Sequence, residues 1–483
     1  MSKFYVTTPI YYINDKPHIG HAYATILADV ISRYHRQLGN EAVFSAGLDE
    51  NSQKTVQAAE KAGLKLDEYT DKMAAEWQEV WKALNISHTN FIRTTDPDHK
   101  KAVHAFIKLV EKNGDIYKGT YEGLYCVGCE EFKREADLVE GKCPLHNTIP
   151  EHIKEDNYFF KLSKFQQPLL DYYKNNPEAI VPVGRRNEVL SFIERGLEDF
   201  SISRPKKVWG IAWPDDKDQV VYVWFDALIN YLTVAGFPGD ISEVWPADLH
   251  VVGKDITKFH SIYWPAMLMS AGIELPKQVL ATGFFTVEGQ KISKSLGNAI
   301  DPLELIEIYG VDALRYYLIR EIPLGSDGEF TRARFEALYN SDLANELGNL
   351  VQRVAVMSKR YLDGKIGIIP PHSHDVSNFE QAMTELRFDK ALEEIWVLVK
   401  GLNQYLEEEK PWIVAKSDMD QVSEILHHAI SDVLQIATLI LPFMPATAQK
   451  IASIFANGEI NLDAGVLFPK ADSIEKSEPD IKG

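Results

Sequence analysis

The spacing of apolar positions changes character twice along this chain, and those changes divide it into parts. Residues 4–8 read as a short buried strand, followed by a turn through Pro9, Asn14, Asp15 and Pro17. Residues 22–38 carry helical spacing, with Gly39 as a stop just past their end. Residues 41–46 predict a second strand, and residues 51–62 a second helix stopped by Gly63. Strands alternating with helices build a parallel sheet, whose ligands bind at the carboxyl ends of its strands. Between 67 and 113 two amphipathic helices follow, one marked by Trp77, Val80, Trp81 and Leu84, the other by Val103, Phe106, Ile107 and Val110.

From Gly114 to about Trp213 the pattern breaks into short aromatic-rich pieces, which reads as an insertion. The α/β pattern then resumes: strand 219–225, helix 226–235, strand 249–252, helix 260–271 and strand 279–282. Beyond about Thr331 the strand signals fade. Residues 336–360, 378–408 and 421–441 are long periodic stretches that predict a C-terminal helical bundle. Residues 471–483 are charged and apolar-poor, as a frayed tail would be.

The length of 483 residues exceeds one hydrophobic core, so several domains are expected. With 45% hydrophobic and 25% charged residues the composition is that of a globular protein. No run of apolar residues is long enough to span a bilayer, and residues 1–30 lack the zones of a signal peptide, so the expected location is the cytoplasm. A net charge of −19 argues against non-specific nucleic-acid binding. It leaves a local basic surface open, because binding follows patches rather than the total.

Three constellations carry candidate chemistry. The first is His18-Ile19-Gly20-His21, at the start of a predicted helix. A helix N-terminus offers free N–H groups to an anion, Gly20 lets a base or ribose approach the backbone, and two histidines three apart can donate to charge on a phosphate. By spacing alone, two polar helix caps fit equally well. The second is Lys291-Ile292-Ser293-Lys294-Ser295, flanked by Gly289 and Gly297. It reads as a mobile loop of cations, with Lys294 able to stabilise a pyrophosphate leaving group, or else as a solvated basic loop. The third is Cys126-x2-Cys129-x13-Cys143-x2-His146. Three clustered cysteines without an export signal argue against disulfides, and two close ligand pairs suit one tetrahedral, structural zinc ion.

The first two motifs, in this order and about 270 residues apart, resemble the signatures of the class I aminoacyl-tRNA synthetases. The second usually reads Lys-Met-Ser-Lys-Ser, and Ile292 stands where Met is usual. There is no Walker A loop and no Gly-x-Gly-x-x-Gly. Within the class the chain resembles the methionyl-tRNA synthetase family over nearly its whole length. The runs carrying this likeness are 4–12, 222–228 and 252–260.

The resemblance implies an α/β fold: a Rossmann-like parallel-sheet catalytic domain split by a zinc-binding insertion, followed by an α-helical anticodon-binding bundle. The implied domains are 1–116 and 214–285 (catalytic halves), 117–213 (insertion with one zinc knuckle) and 286–335 (signature loop and stem-contact fold). The anticodon domain is 336–470, and 471–483 is a tail. The insertion is too short for the editing domain of leucyl, isoleucyl and valyl enzymes.

His18, His21, Lys291 and Lys294 would be catalytic. Asp49 would hold the methionine ammonium, and Ile10, Tyr12, Trp224, Leu228, Tyr231 and His260 would line the side-chain pocket; some members carry Pro in place of Leu228. Asn14, His18, Gly20, His21, Gly253, Lys254, Asp255 and Lys294 would meet ATP, and Asn349, Arg353 and Trp412 would read the anticodon. By position alone Trp224, Tyr231 and Trp412 fit ordinary core packing, and Asn349 with Arg353 a solvated helix face.

The expected reaction is attack of the methionine carboxylate on the α-phosphorus of Mg-ATP, then transfer to the terminal ribose of tRNA(Met). Few residues follow Asp463, which leaves no room for the C-terminal domain that makes many members dimers, so a monomer is expected. A small-molecule nucleotidyltransferase with a related His-x-Gly-His motif would lack the helical part after 331. A tRNA-binding paralogue that had lost catalysis would be expected to lose some of His18, His21, Asp49 and Lys294.

Overall fold

The computed structural model describes residues 2–126, 131–133, 135–144, 147–205, 209–287, 290–292, 300–367, 369, 374–463 and 465–470. They form two compact units. The first comprises 1–17, 35–79 and 87–282, the second 18–34, 80–86 and 283–483. The helix Ile19–Gln37 thus lies largely in the second unit, although sequence order places it in the first catalytic half.

A six-stranded sheet organises the first unit. Its order is Asn90–Arg93, Glu41–Asp49, Lys3–Tyr12, Leu249–Gly253, Val279–Thr282 and Ile180–Val181, with every neighbouring pair parallel. Chain order reverses on either side of Lys3–Tyr12, which makes that strand the switch point where such sheets bind ligands. Pro9 does not end the strand, as its turn signal predicted. The register shifts between Thr7 and Ile10, and pairing resumes through Tyr12 opposite Asp49. Proline has no N–H to donate, and a bulge is where a sheet tolerates that loss. The strand therefore carries Ile10 and Tyr12 to the sheet's carboxyl edge. Gly47, opposite Ile10, has no room for a side chain: a Cβ there would lie 2.4 Å from both Cγ2 and O of Ile92.

Two expectations about this unit are corrected. Residues 219–225 are not a strand of the parallel sheet. Asp216–Val221 pairs antiparallel with Ala212–Trp213 and Ser203–Pro205, and Val223–Leu228 is a helix. A continuous apolar run has no period, so strand and helix cannot be separated on it. Nor is 117–213 wholly apart from the sheet, because Ile180–Val181 supplies its edge strand. The rest of that stretch holds an antiparallel sheet in the order Glu131–Lys133, Ile116–Cys126, Glu151–Phe160, Phe200–Ser201.

The second unit is mainly helical. It also holds a small sheet of Gln290–Lys291, Phe285–Val287 and Gly328–Phe330. Helical residues then run unbroken from Arg332 to Tyr361, with a π-helical stretch at Tyr339–Gly348. The stretch predicted as one helix over 378–408 is two, Ser377–Thr384 and Phe388–Glu409. Leu386 takes a left-handed φ of 58°, and Arg387 N–H closes on Ala382 O at 2.8 Å. No Gly or Pro marks this break, so pattern reading ran through it. Met419–Ile440 and Pro445–Ile454 complete the bundle.

A charged cluster lies inside this unit. Arg315 Nη2 and Arg33 Nε each reach Asp29 Oδ2 at 2.7 Å, and the Arg315 and Asp29 side chains are fully buried. Arg315 also donates to the carbonyls of Phe443, Leu84 and Pro442 at 2.8, 3.2 and 3.0 Å. One guanidinium thereby ties the first helix, the 80–86 segment and the end of the bundle together. No described helix is long and apolar enough to cross a membrane.

Candidate amino-acid and nucleotide site

In the first unit, the residues assigned to the methionine pocket gather at the carboxyl edge of the sheet. Leu228 and Tyr231 belong to one buried apolar cluster, against which Tyr12 and Trp224 pack. The Tyr12 and Trp224 rings meet edge to face at 6.4 Å, and Ile10, two residues before Tyr12 on the same strand, is half-buried. Trp224 lies flat on Phe259 at 3.9 Å, with 5° between the planes. Phe259 opens a π-helical turn, Phe259–Tyr263, that also carries His260. Such turns displace one residue outward from the helical ladder and recur at functional sites. The 252–260 run contained Phe259, but no sequence signal marked the π turn.

His260 is buried, and its Nδ1 lies 3.0 Å from Ile256 O, so that nitrogen carries the proton. Its Nε2 is then the acceptor for Tyr231 Oη at 2.8 Å. Burial lowers the His260 pKa to about 4, so the ring is neutral at pH 7. Burial is also the main cause of the raised Tyr231 pKa. The pocket wall is therefore aromatic and uncharged, which suits a soft thioether.

Asp49 is buried at the end of its strand, where Oδ1 accepts from Asn51 N–H at 3.3 Å. Asn51 Nδ2 donates to Asp226 Oδ2 at 3.2 Å and to Thr94 O at 3.2 Å. Asn51 and Asp226 were not singled out in the sequence. They connect the Asp49 strand end to the helix bearing Trp224. Gly253 ends its own strand, Lys254 N–H donates to Thr282 O at 3.0 Å, and Asp255 and Asn14 are exposed.

Three buried histidines make this unit acid-sensitive. His99 and His260 have pKa values lowered to about 4 by burial. That of His250 is also lowered, by burial and then by the His260 charge. His250 Nδ1 meets Thr7 Oγ1 at 2.7 Å, and its ring packs 4.3 Å from Tyr231. Above pH 6.5, folded and unfolded forms are both neutral at these sites. Below it the unfolded chain takes up protons that the folded chain refuses, so stability falls as pH drops from about 6.5 towards 4. The slope is up to about 1.4 kcal/mol per pH unit for each histidine. Denaturation midpoints measured from pH 7 to 5 should fall, and the fall should flatten in a His99→Gln variant.

In the second unit, His18 and His21 stack at 3.9 Å and 26° across the start of the first helix. Gly20 N–H donates to His18 Nδ1 at 3.1 Å, and His18 N–H donates to His21 Nδ1 at 3.2 Å. Both Nδ1 atoms being acceptors, both rings carry their proton on Nε2, which makes each Nε2–H a donor. A Cβ on residue 20 would lie 2.9 Å from His18 Cε1, so the glycine makes room for this folded-back ring. Lys291 pairs with Thr286 as a strand residue, and Ile292 is buried. An apolar anchor is retained where Met is usual. Lys294 lies outside the described residues.

Two further groups were expected elsewhere in the chain. Cys126 and Cys143 are both buried, and both adjoin Thr148: Cys126 Sγ is 3.9 Å from Thr148 Oγ1, and Cys143 N–H donates to Thr148 O at 2.8 Å. Two buried thiols beside one turn fit half of a thiolate-rich zinc site. Cys129 and His146 lie outside the described residues. In the bundle, Arg353 pairs with Glu407 at 3.0 Å and lies 5.8 Å above the Trp412 ring. Its Nη2 is buried without a hydrogen-bond partner among the described residues, Trp412 is 36% exposed, and Asn349 is exposed one turn before Arg353.

Comparison with known proteins bears on these groups. The family described as class I tRNA synthetases (M) matches residues 4–149 and 133–355, and the anticodon binding domain of methionyl tRNA ligase matches 368–466. A methionine–tRNA ligase of Thermotoga maritima is 44% identical over 93% of this chain and 74% of its own length. One of Thermosynechococcus vestitus is 44% identical over 95% of this chain and 92% of its own. The structure of Mycobacterium tuberculosis methionyl-tRNA synthetase in complex with methionyl-adenylate superposes with a TM-score of 0.90. It is 40% identical and covers 96% of this chain and 97% of that one. With sheet, bundle and sequence all in agreement over nearly its full length, the chain belongs to the methionyl-tRNA synthetase family of class I.

Proposed function

We infer that this chain is a methionine–tRNA ligase. It joins methionine to ATP as methionyl-adenylate, releases pyrophosphate, and passes the methionyl group to the terminal ribose of tRNA(Met). The observation that carries the reading is the pocket of Trp224, Phe259, Tyr231 and neutral His260 at the switch point of the sheet. The Asp49 carboxylate at its edge suits an α-ammonium group.

A methionine carboxylate oxygen attacks the α-phosphorus, and the bond to the pyrophosphate oxygen breaks. No nucleophile from the protein is needed. The chain contributes positioning, together with donors aimed where charge develops. His18 and His21 supply Nε2–H donors to the α-phosphate, and Gly20 keeps their rings folded in place. Lys291 and Lys294 neutralise the departing pyrophosphate, alongside the magnesium that accompanies ATP. Asn14, Gly253, Lys254 and Asp255 meet the nucleotide.

In the second step a ribose hydroxyl attacks the adenylate carbonyl and AMP leaves. Asn349 and Arg353 hydrogen-bond to anticodon bases, and Trp412 stacks on one of them. The buried Nη2 of Arg353, without a partner among the described residues, supports that role. One zinc ion on Cys126, Cys129, Cys143 and His146 staples the antiparallel insertion and takes no part in the reaction. A monomer working in the cytoplasm completes the reading.

The test is exchange of labelled pyrophosphate into ATP with each amino acid in turn. Methionine alone should support it at micromolar to millimolar concentration. Exchange with another amino acid but not methionine would overturn the assignment.

A further inference from the structure

We propose that His374, His428 and Asp432 form a second metal site, for a divalent transition ion such as zinc, within the helical bundle of the second unit. His428 and Asp432 stand four residues apart on one face of the helix Met419–Ile440. His374 reaches them from the segment just before the helix Ser377–Thr384. The three ligand atoms lie within 4.8 Å of one another. His374 Nε2 is 2.9 Å and His428 Nε2 3.5 Å from the same oxygen, Asp432 Oδ2. In a tetrahedral complex with bonds of about 2.0–2.1 Å, ligand atoms stand about 3.3 Å apart, so two of the three separations are already close to that spacing.

The carboxylate is the independent pointer. Asp432 is 4% exposed, and its Oδ1 is buried without a hydrogen-bond partner among the described residues. No Lys or Arg pairs with it among the described residues; the two imidazoles are the groups that face its Oδ2. A buried carboxylate is costly unless a cation or full hydrogen bonding offsets the lost water. The surroundings add negative charge. Tyr405 lies edge-on to His428 at 4.9 Å, and its pKa is raised by burial and then by Glu409, Asp432 and Glu424.

Two imidazoles and one carboxylate are a set that zinc and its neighbours accept, and the exposed sides of both histidines leave room for water ligands. Gln435 Nε2 also holds the His374 carbonyl, at 3.3 Å. A bound ion would therefore clip the segment entering Ser377–Thr384 onto the long helix. The donor set contains no sulfur, which separates it from the cysteine cluster of the first unit.

The experiment is zinc titration by calorimetry on the full chain with its cysteine site already loaded, paired with metal analysis after dialysis. One further equivalent of zinc should bind, weakened at least about tenfold in His428→Ala and in Asp432→Asn. The His374 and His428 side chains are 37% and 40% exposed, so His374→Ala and His428→Ala should fold normally, as thermal melts would verify. A Cys126→Ser variant should keep the added equivalent while losing the other. Absence of the further equivalent, its persistence at full affinity in His428→Ala, or its loss only in Cys126→Ser would overturn the proposal.

Discussion

Replacing Arg315 by methionine should lower the unfolding free energy of the second unit by about 3–5 kcal/mol, as expected when one partner of a buried ion pair is removed. The side chain is fully buried against an equally buried Asp29, at 2.7 Å. Methionine preserves much of the volume but strands a carboxylate that Arg33 alone would have to balance. It also strips donors from the carbonyls of Leu84, Pro442 and Phe443. At about 2–4 °C per kcal/mol for a unit of this size, the melting temperature should drop by roughly 6–20 °C. Arg334 offers the contrast. It pairs with Glu321 at 3.0 Å but is 52% exposed, so Arg334→Met should cost less than about 1 kcal/mol. Equal shifts for the two variants would show that the buried pair is not what holds the first helix to the bundle.

Asp49→Asn should reduce kcat/KM for methionine in pyrophosphate exchange by about 10²–10³, the loss expected when a desolvated charge loses its partner. Asparagine keeps the shape and can still accept from Asn51 N–H, so the fold should survive and the melting temperature should barely move. The loss should fall mainly on KM for methionine, with KM for ATP little changed, because the contact proposed for Asp49 is to the methionine ammonium. His21→Ala should differ in kind. In its proposed role it loses an Nε2–H donor to the developing phosphate charge, so kcat should fall by about 10²-fold with methionine affinity retained. An Asp49→Asn enzyme with unchanged KM for methionine would remove Asp49 from the pocket.

The motifs were legible because their chemistry is local. Four consecutive residues, His18 to His21, create a helix start, stacked rings and two Nε2–H donors from hydrogen bonds spanning at most three residues. The strand and helix order was also readable wherever apolar residues kept one period, as in Glu41–Asp49 and Met419–Ile440. It failed where the period was silent. The run from Val220 to Phe225 is apolar throughout, and only its packing decides that it turns from an antiparallel strand into a helix. Pro9 reads as a break, yet pairing with Glu41–Asp49 absorbs it in a bulge. Leu386 ends a helix with no Gly or Pro to announce it.

The pocket divides along the same line. Likeness to a known family named Trp224, Tyr231 and His260, but not the partners that orient them. Phe259 beneath Trp224, Ile256 O fixing the His260 proton, and Asn51 linking Asp49 to Asp226 emerge from three-dimensional neighbours. The sequence by itself determined the chemistry on offer: the donors, cations, thiols and the parallel α/β plan, all set by residues close in the chain. The tertiary structure decided which of those groups are buried, and that Asp29 and Arg315, 286 positions apart in the numbering, meet. Those outcomes depend on desolvation and on contacts distant in the chain, and no local pattern of residues encodes either.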